Sequence, residues 1–288
     1  MSKTTCDVCF RHCLLNEGQT GFCKARVCRD GAIVPATYGH ITSLALDPIE
    51  KKPLYHFYPG SMIVSAGGYG CNLACPFCQN HSISLSEFSL DKYAGHVPDY
   101  EIISPDDLAS VCVDQKKNGN IGIAFTYNEP TISYEYIIDT AKLIRRSGLK
   151  TVLVTNGSAT IETLDKLLPY VDAMNVDLKS FDEDYYKNIL HGDLETVKLF
   201  IERAAEGCHV EVTTLIIPEE NDSVEEMESI AGWLAAVSDY NGKDIPFHIT
   251  RFFPRSRYSD RRPTPVDTIY TLVDVAKKHL KCVHAGNV

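Results

Sequence analysis

The sequence predicts an α/β fold: a partial (β/α)6 TIM-like barrel preceded by a small cysteine-rich module. Three observations carry this expectation. From residue 61 onward, short apolar or β-branched runs alternate with helical stretches in six strand–helix repeats. For such strand–helix crossovers a right-handed parallel arrangement is nearly obligatory. Residues 1–60, by contrast, are rich in Cys, Gly and Pro and show no long helical period. So short a segment can hardly bury a core of its own, and a metal staple is expected to hold it. The expected domains are therefore a metal or iron–sulfur module at 1–60 and a core domain at 61–288.

Taken in order, the module contains β-type runs at 32–34 and 40–46, and Pro48 and Pro53 punctuate its exit. Residues 62–66 read as a buried strand that leads through Gly67 and Gly68 into a cysteine loop. Ser104, Pro105, Asp106 and Asp107 form an N-cap, a proline at the first helical position and an acidic first turn, opening a helix to about 117. A strand follows at 121–126, then a helix at 134–146 with Gly148 near its C-cap. The alternation continues with a strand at 151–155, a helix at 160–168 and a strand at 173–178. Helices are expected at 182–188 and 194–206, then a β-branched strand at 209–217. Ser223 caps a helix to about 237, a strand covers 245–250, and the last helix covers 265–280.

Composition narrows the function. The net charge of -10 and a pI near 5.5 argue against a nucleic-acid-binding surface, which needs clustered Lys and Arg. No run of about 18 apolar residues is present and residues 1–6 lack the apolar stretch of a signal peptide, so a cytoplasmic chain without membrane contact is expected. In a reducing cytosol, eleven cysteines point to metal ligands, and eight of them fall in the first 78 residues.

Cys71, Cys75 and Cys78 form a C-x3-C-x2-C run. An iron–sulfur cube held by three thiolates leaves one iron without a protein ligand, an open position as in catalytic metal sites. The alternative is zinc, which usually wants four ligands in paired C-x2-C units, or unrelated buried thiols. Cys6, Cys9, Cys13 and Cys23 form a second constellation, with Cys28 as a fifth candidate. Four thiolates suit either a second [4Fe–4S] cluster or a structural zinc. A second cluster could relay electrons, whereas zinc would only hold the module folded. Cys112, Cys208 and Cys282 sit in apolar or strand contexts and read as inert thiols.

The C-x3-C-x2-C run and its flanks resemble the signature of radical S-adenosylmethionine (SAM) enzymes. Together with the stretch from Ala45 to Gly60 (ALDPIEKKPLYHFYPG), they make the chain similar to the radical SAM protein of the AmmeMemoRadiSam system and to pyruvate formate-lyase activating enzymes. The resemblance implies a partial barrel of the radical SAM type. It also implies that SAM chelates the open iron through its amino and carboxylate groups and is reductively cleaved to a 5′-deoxyadenosyl radical. Further site residues follow from the same resemblance. Glu129 in Tyr127-Asn128-Glu129-Pro130 stands where related activases carry Gly-Gly-Glu-Pro and would accept hydrogen bonds from the SAM ammonium. Asn156, followed by Gly157, ends a barrel strand, and the Asp177/Lys179 pair ends the next; all would contact SAM. His248 matches a histidine near SAM in similar activases, and Asn287 a terminal Gly-Asn. Arg251 suits an acidic substrate or partner, or a plain surface role. The implied partners are an external electron donor of flavodoxin or ferredoxin type and a protein, peptide or small-molecule substrate. Two rivals stay open: an iron–sulfur electron-transfer or scaffold protein without SAM cleavage, and a zinc-binding adaptor.

Overall fold

The computed structural model describes residues 3–84 and 97–288. Its centre is an eight-stranded sheet. We label its strands β1 (Ser43–Pro48), β2 (Met62–Gly67), β3 (Asn120–Phe125), β4 (Lys150–Thr155), β5 (Ala173–Asp177), β6 (His209–Ile216), β7 (Phe247–Arg251) and β8 (Val283–Gly286). They lie side by side in chain order, with β1 and β8 as the two edges. β2 to β8 are mutually parallel, and β1 pairs antiparallel with β2. The result is an α/β partial barrel, open between its edges.

The helices that return between parallel strands are α1 (Pro105–Asp114), α2 (Tyr134–Arg146), α3 (Ile161–Leu167), α4 (Leu194–Gly207), α5 (Val224–Asn241) and α6 (Val266–Ala276). Several carry side-chain N-caps, two of them, Ser104 and Ser223, at the residues the sequence marks. Ser104 Oγ accepts from Asp107 N at 3.1 Å, Asp193 Oδ2 from Thr196 N at 2.8 Å, and Ser223 Oγ from Glu226 N at 3.1 Å. The helices pack outside the sheet, where Ile123, Met174, Phe200, Val212, Leu234 and Phe247 are fully buried.

Three expectations need correction. The module does not end at residue 60. Ser43–Pro48 is an edge of the barrel sheet, because its backbone pairs residue by residue with Met62–Gly67. The run at 40–46 is broken at Thr42, whose Oγ1 donates to the Gly67 and Gly68 carbonyls at 3.1 and 2.7 Å and turns the chain. Only His40–Ile41 lies before the break, paired with Glu101–Ile102. Finally, β8 is a seventh parallel strand, too short and too close to the chain's last residues to announce itself by pattern.

The segment between β1 and β2 plugs the barrel floor. Ile49 and Leu54 are fully buried against Ile63, Ala124, Val152 and Ala173 of β2 to β5. Asp47 anchors its start, with Lys51 Nζ at 3.0 Å, Lys52 Nζ at 2.9 Å and the Tyr127 hydroxyl donating at 2.9 Å. Lys52 is only 3% exposed, so its charge depends on Asp47. Asp47→Ala is expected to cost about 3–5 kcal/mol in urea unfolding, because it leaves a buried ammonium uncompensated. Adding Lys52→Met should restore most of that loss; a single variant as stable as the parent would show that the pair does not hold the plug.

Candidate active site

The cysteine loop leaves β2 at the C-terminal end of the barrel, the end where (β/α) barrels place their chemistry. It is fastened from several sides. Ala74 N donates to Leu190 O at 2.9 Å, Arg257 N to Pro76 O at 2.9 Å, Gln79 Nε2 to Phe253 O at 3.1 Å and Asn128 Nδ2 to Gly70 O at 3.1 Å. Leu190 ends a π-helical turn, Tyr186–Leu190, in the region expected to be a plain helix. Gly70 is required twice over. Its φ of +91° is unsuited to L side chains, and a Cβ there would stand 2.3 Å from the Cys23 carbonyl oxygen.

Cys71, Cys75 and Cys78 line one chamber of about 270 Å3, together with Glu129, Asn156, Asp177 and Lys179. Burial pushes the thiols up, Cys75 to about 12, and at Cys71 the Glu129 carboxylate adds to the rise. Two donors already face the Cys71 sulfur: Leu73 N lies 3.4 Å and Asn156 Nδ2 3.7 Å from it. Lys179 Nζ sits 3.1 Å from Asp177 Oδ2. Burial opposes its charge, yet Asp177 and Cys75 outweigh that and raise its pKa. Among the described residues no three His, Cys, Asp or Glu side chains form a ready-made site for a single metal ion. The donor set does suit an iron–sulfur cluster: three thiols on one loop, N–H groups aimed at sulfur, and a cation beside the opening where an anionic ligand group would lie.

Glu129 joins this site at 2% exposure. Its Oε1 accepts from Thr131 N, Thr131 Oγ1 and Thr155 Oγ1, while among the described residues Oε2 accepts only from Asn156 N, at 2.8 Å. Burial outweighs these bonds and raises its pKa. The carboxylate thus ties the ends of β3 and β4 together and keeps acceptor capacity on Oε2. Tyr127 takes a left-handed φ of +74°. That backbone costs a non-glycine residue about 1–2 kcal/mol, offset here by the hydroxyl bond to Asp47.

His248 is placed elsewhere. It lies two residues before Thr250, the β7 residue that lines the chamber. It is 2% exposed and its Nε2 is 2.7 Å from Glu211 Oε2. Glu211, fully buried on β6, also binds His209 Nε2 at 2.9 Å and accepts from the backbone N–H groups of Tyr55 and His56 at 3.0 and 2.8 Å. His248 therefore belongs to the clamp on the floor plug, and Glu211 is the residue that sequence reasoning missed. An acid at an inward position of a β-branched strand was the available signal. Arg251 and Asn287 also stay off the chamber: Arg251 Nε donates to Thr264 O at 2.6 Å, and Asn287 Nδ2 reaches Arg251 O at 3.5 Å.

Cys6, Cys9, Cys13 and Cys23 converge in the module. Cys6 N donates to Cys13 O at 2.9 Å, and Cys23 lies within the electrostatic reach of Cys6 and Cys13. Cys28 stands apart, its thiol 3.8 Å from Glu17 Oε2.

The radical SAM superfamily model matches residues 66–234. An uncharacterized protein of Methanocaldococcus jannaschii is 39% identical over 289 residues, spanning all of this chain and 82% of its own length. A putative glycyl-radical enzyme activating enzyme of the same organism is 26% identical over 227 residues, 74% of this chain and 83% of its own. Among solved structures, Streptococcus suis SuiB bound to S-adenosylmethionine has the same fold with a TM-score of 0.56 at 15% identity, over 76% of this chain and 48% of that one. With the three thiols at the mouth of a parallel partial barrel and a family match over more than half of its length, the chain belongs to the radical SAM superfamily.

Proposed function

We propose that this protein cleaves SAM reductively and directs the resulting radical to a C–H bond of a protein or peptide, in the manner of a glycyl-radical activating enzyme. The observation that carries the reading is the meeting of Cys71, Cys75 and Cys78 with Lys179, Asp177, Asn156 and Glu129 in one chamber. Cys71, Cys75 and Cys78 would hold a [4Fe–4S] cluster there, which would supply the one electron that cleavage of SAM to methionine and a 5′-deoxyadenosyl radical requires. The protein's part is to bind and orient. Lys179, held by Asp177, neutralises the SAM carboxylate; Oε2 of Glu129 accepts from its ammonium; Asn156 steadies the Cys71 sulfur. The similarity to a putative glycyl-radical enzyme activating enzyme supports a protein substrate carrying the abstracted hydrogen. An external one-electron donor of flavodoxin or ferredoxin type completes the reaction.

The cytoplasm is the proposed setting. All eleven cysteines are free thiols, which suits a reducing compartment. No helix among the described residues is long and apolar enough to cross a membrane.

The test is SAM binding and cleavage by the anaerobically reconstituted protein. Lys179→Ala is expected to weaken SAM about 10- to 100-fold, the loss of one charge-assisted contact. Binding unchanged in Lys179→Ala and in Glu129→Gln would rule out this SAM pose. A loaded cluster that binds SAM but yields no 5′-deoxyadenosine, even with candidate partner proteins present, would favour electron transfer without SAM cleavage.

A further inference from the structure

Three buried side-chain polar atoms lack a hydrogen-bond partner among the described residues: Arg26 Nε, Asn72 Nδ2 and Ser158 Oγ. Two of them lie beside N-terminal cysteines, and the third belongs to a residue whose backbone meets the same segment. Arg26 stands against Cys6, and Asn72 against Cys9. Ser158 accepts from Phe10 N through its carbonyl at 3.3 Å, and its neighbour Ala159 pairs with Cys9. An unsatisfied buried donor costs about 1–3 kcal/mol, and native structures seldom collect several in one place. Donors collected around sulfur are what an anionic, sulfur-rich group requires. A zinc tetrathiolate offers only its four cysteine sulfurs, whereas a [4Fe–4S] cluster adds four bridging sulfides, and N–H bonds to those sulfurs set its potential.

A cation completes the setting. Arg11 donates to the Asn72 carbonyl at 2.7 Å and to the His191 carbonyl, and stacks on Phe22 at 3.5 Å. The groups that favour its charge are thiols: Cys9, Cys13, Cys71 and Cys23. Arg11 thus lies between the two cysteine sets. Asn72 joins them directly. Its Oδ1 accepts from Asn156 Nδ2 at 2.8 Å, and the same Nδ2 lies 3.7 Å from Cys71 Sγ. Cys9, Asn72, Asn156 and Cys71 form one polar chain through a dry interior, since Asn72 is fully buried and Asn156 is 6% exposed.

We propose that Cys6, Cys9, Cys13 and Cys23 hold a redox-active [4Fe–4S] cluster, and that Asn72 and Asn156 link it to the Cys71 thiolate as the entry path for single electrons. A low-potential one-electron protein donor reduces the N-terminal cluster. That cluster is reoxidised as the cluster on the Cys71 loop gains the same electron, and no proton or bond moves. Only the destination of the electron rests on the function proposed above.

A variant lacking the radical site, Cys71→Ala with Cys75→Ala and Cys78→Ala, separates the two ideas because it can perform no SAM chemistry. Reconstituted anaerobically, it is expected to keep about four irons and four sulfides per chain and to give the EPR signal of a reduced cluster with dithionite. Zinc in their place, or no metal in a folded chain, overturns the proposal. Should that variant fail to fold, the Mössbauer iron count of the wild type decides, about eight irons supporting the proposal and about four overturning it. In the wild type the two reduced clusters should broaden each other's EPR signals; two independent signals would overturn the link. Asn72→Leu in the triple variant should lower the potential of the remaining cluster, and an unchanged potential would remove Asn72 as a donor to it.

Discussion

Replacing Cys71, Cys75 or Cys78 with alanine is expected to lower 5′-deoxyadenosine formation by roughly three orders of magnitude or more, to the level of the protein-free control. In the proposed site each thiol holds one corner of the cluster, and the loop has no spare ligand. The chamber's remaining donors are oxygens and nitrogens, and Cys112 and Cys208 are sealed in the outer core. Iron content should fall in parallel, because a cluster held by two thiolates is easily lost. Alanine at Cys112 or Cys28 serves as the control: neither sulfur lies among the chamber residues, and each variant should keep its iron and its activity. Product from a Cys71, Cys75 or Cys78 variant at wild-type rate would refute the assignment of the radical centre. Loss of activity in the Cys28 variant would instead mean that the N-terminal set is wider than four.

The second large effect is at Glu211. Glu211→Gln should destabilise the protein by about 3–5 kcal/mol at pH 7, because one amide cannot accept from two histidines and two backbone N–H groups at once. For a chain of this size that is a drop in Tm of roughly 10 °C. The pH dependence is distinctive. Burial alone would raise the Glu211 pKa, but the bonds from His209, His248, His56 and Tyr55 dominate and lower it to about 2. A folded value below the unfolded value of about 4.3 means that the unfolded chain binds more protons, so this contribution is complete above about pH 5. It amounts to about 3 kcal/mol and is lost as pH falls from about 4 to 2. The stability gap between wild type and Glu211→Gln should therefore be full at neutral pH and narrow through that window. A gap that persists undiminished at pH 2 would show that packing, not ionisation, is what Glu211 supplies.

Much of the barrel was legible in the sequence. Six strands and six helices stand close to where periodicity, N-caps and glycine stops placed them, because each follows from local rules: side-chain spacing, capping side chains, and the cost of proline and glycine inside an element. What escaped is non-local. Whether Ser43–Pro48 belongs to the module or the barrel depends on its pairing with residues some twenty positions away. β8 exists because β7 offers it an edge. His248 looked like a cofactor contact because strand periodicity says which face a residue takes, but not its depth along the barrel. Two residues at about 3.3 Å each separate the clamp from the chamber.

The division between sequence and structure has a physical basis. The sequence alone determined the radical SAM cysteine loop, the cysteine content of the module, and the parallel α/β architecture, because ligand type and spacing and hydrophobic period are properties of a short stretch of chain. Tertiary structure alone decided which distant groups meet. It brought Lys179 and Asp177 to the cysteines and set Glu211 on the floor plug. It also placed Asn72 between two thiol sets and left Arg26 and Asn72, each with an unpaired buried N–H, beside Cys6 and Cys9. Burial and hydrogen-bond satisfaction are settled by the folded chain as a whole, so the unpaired atoms that support the proposed second cluster became visible only after every other partner had been assigned.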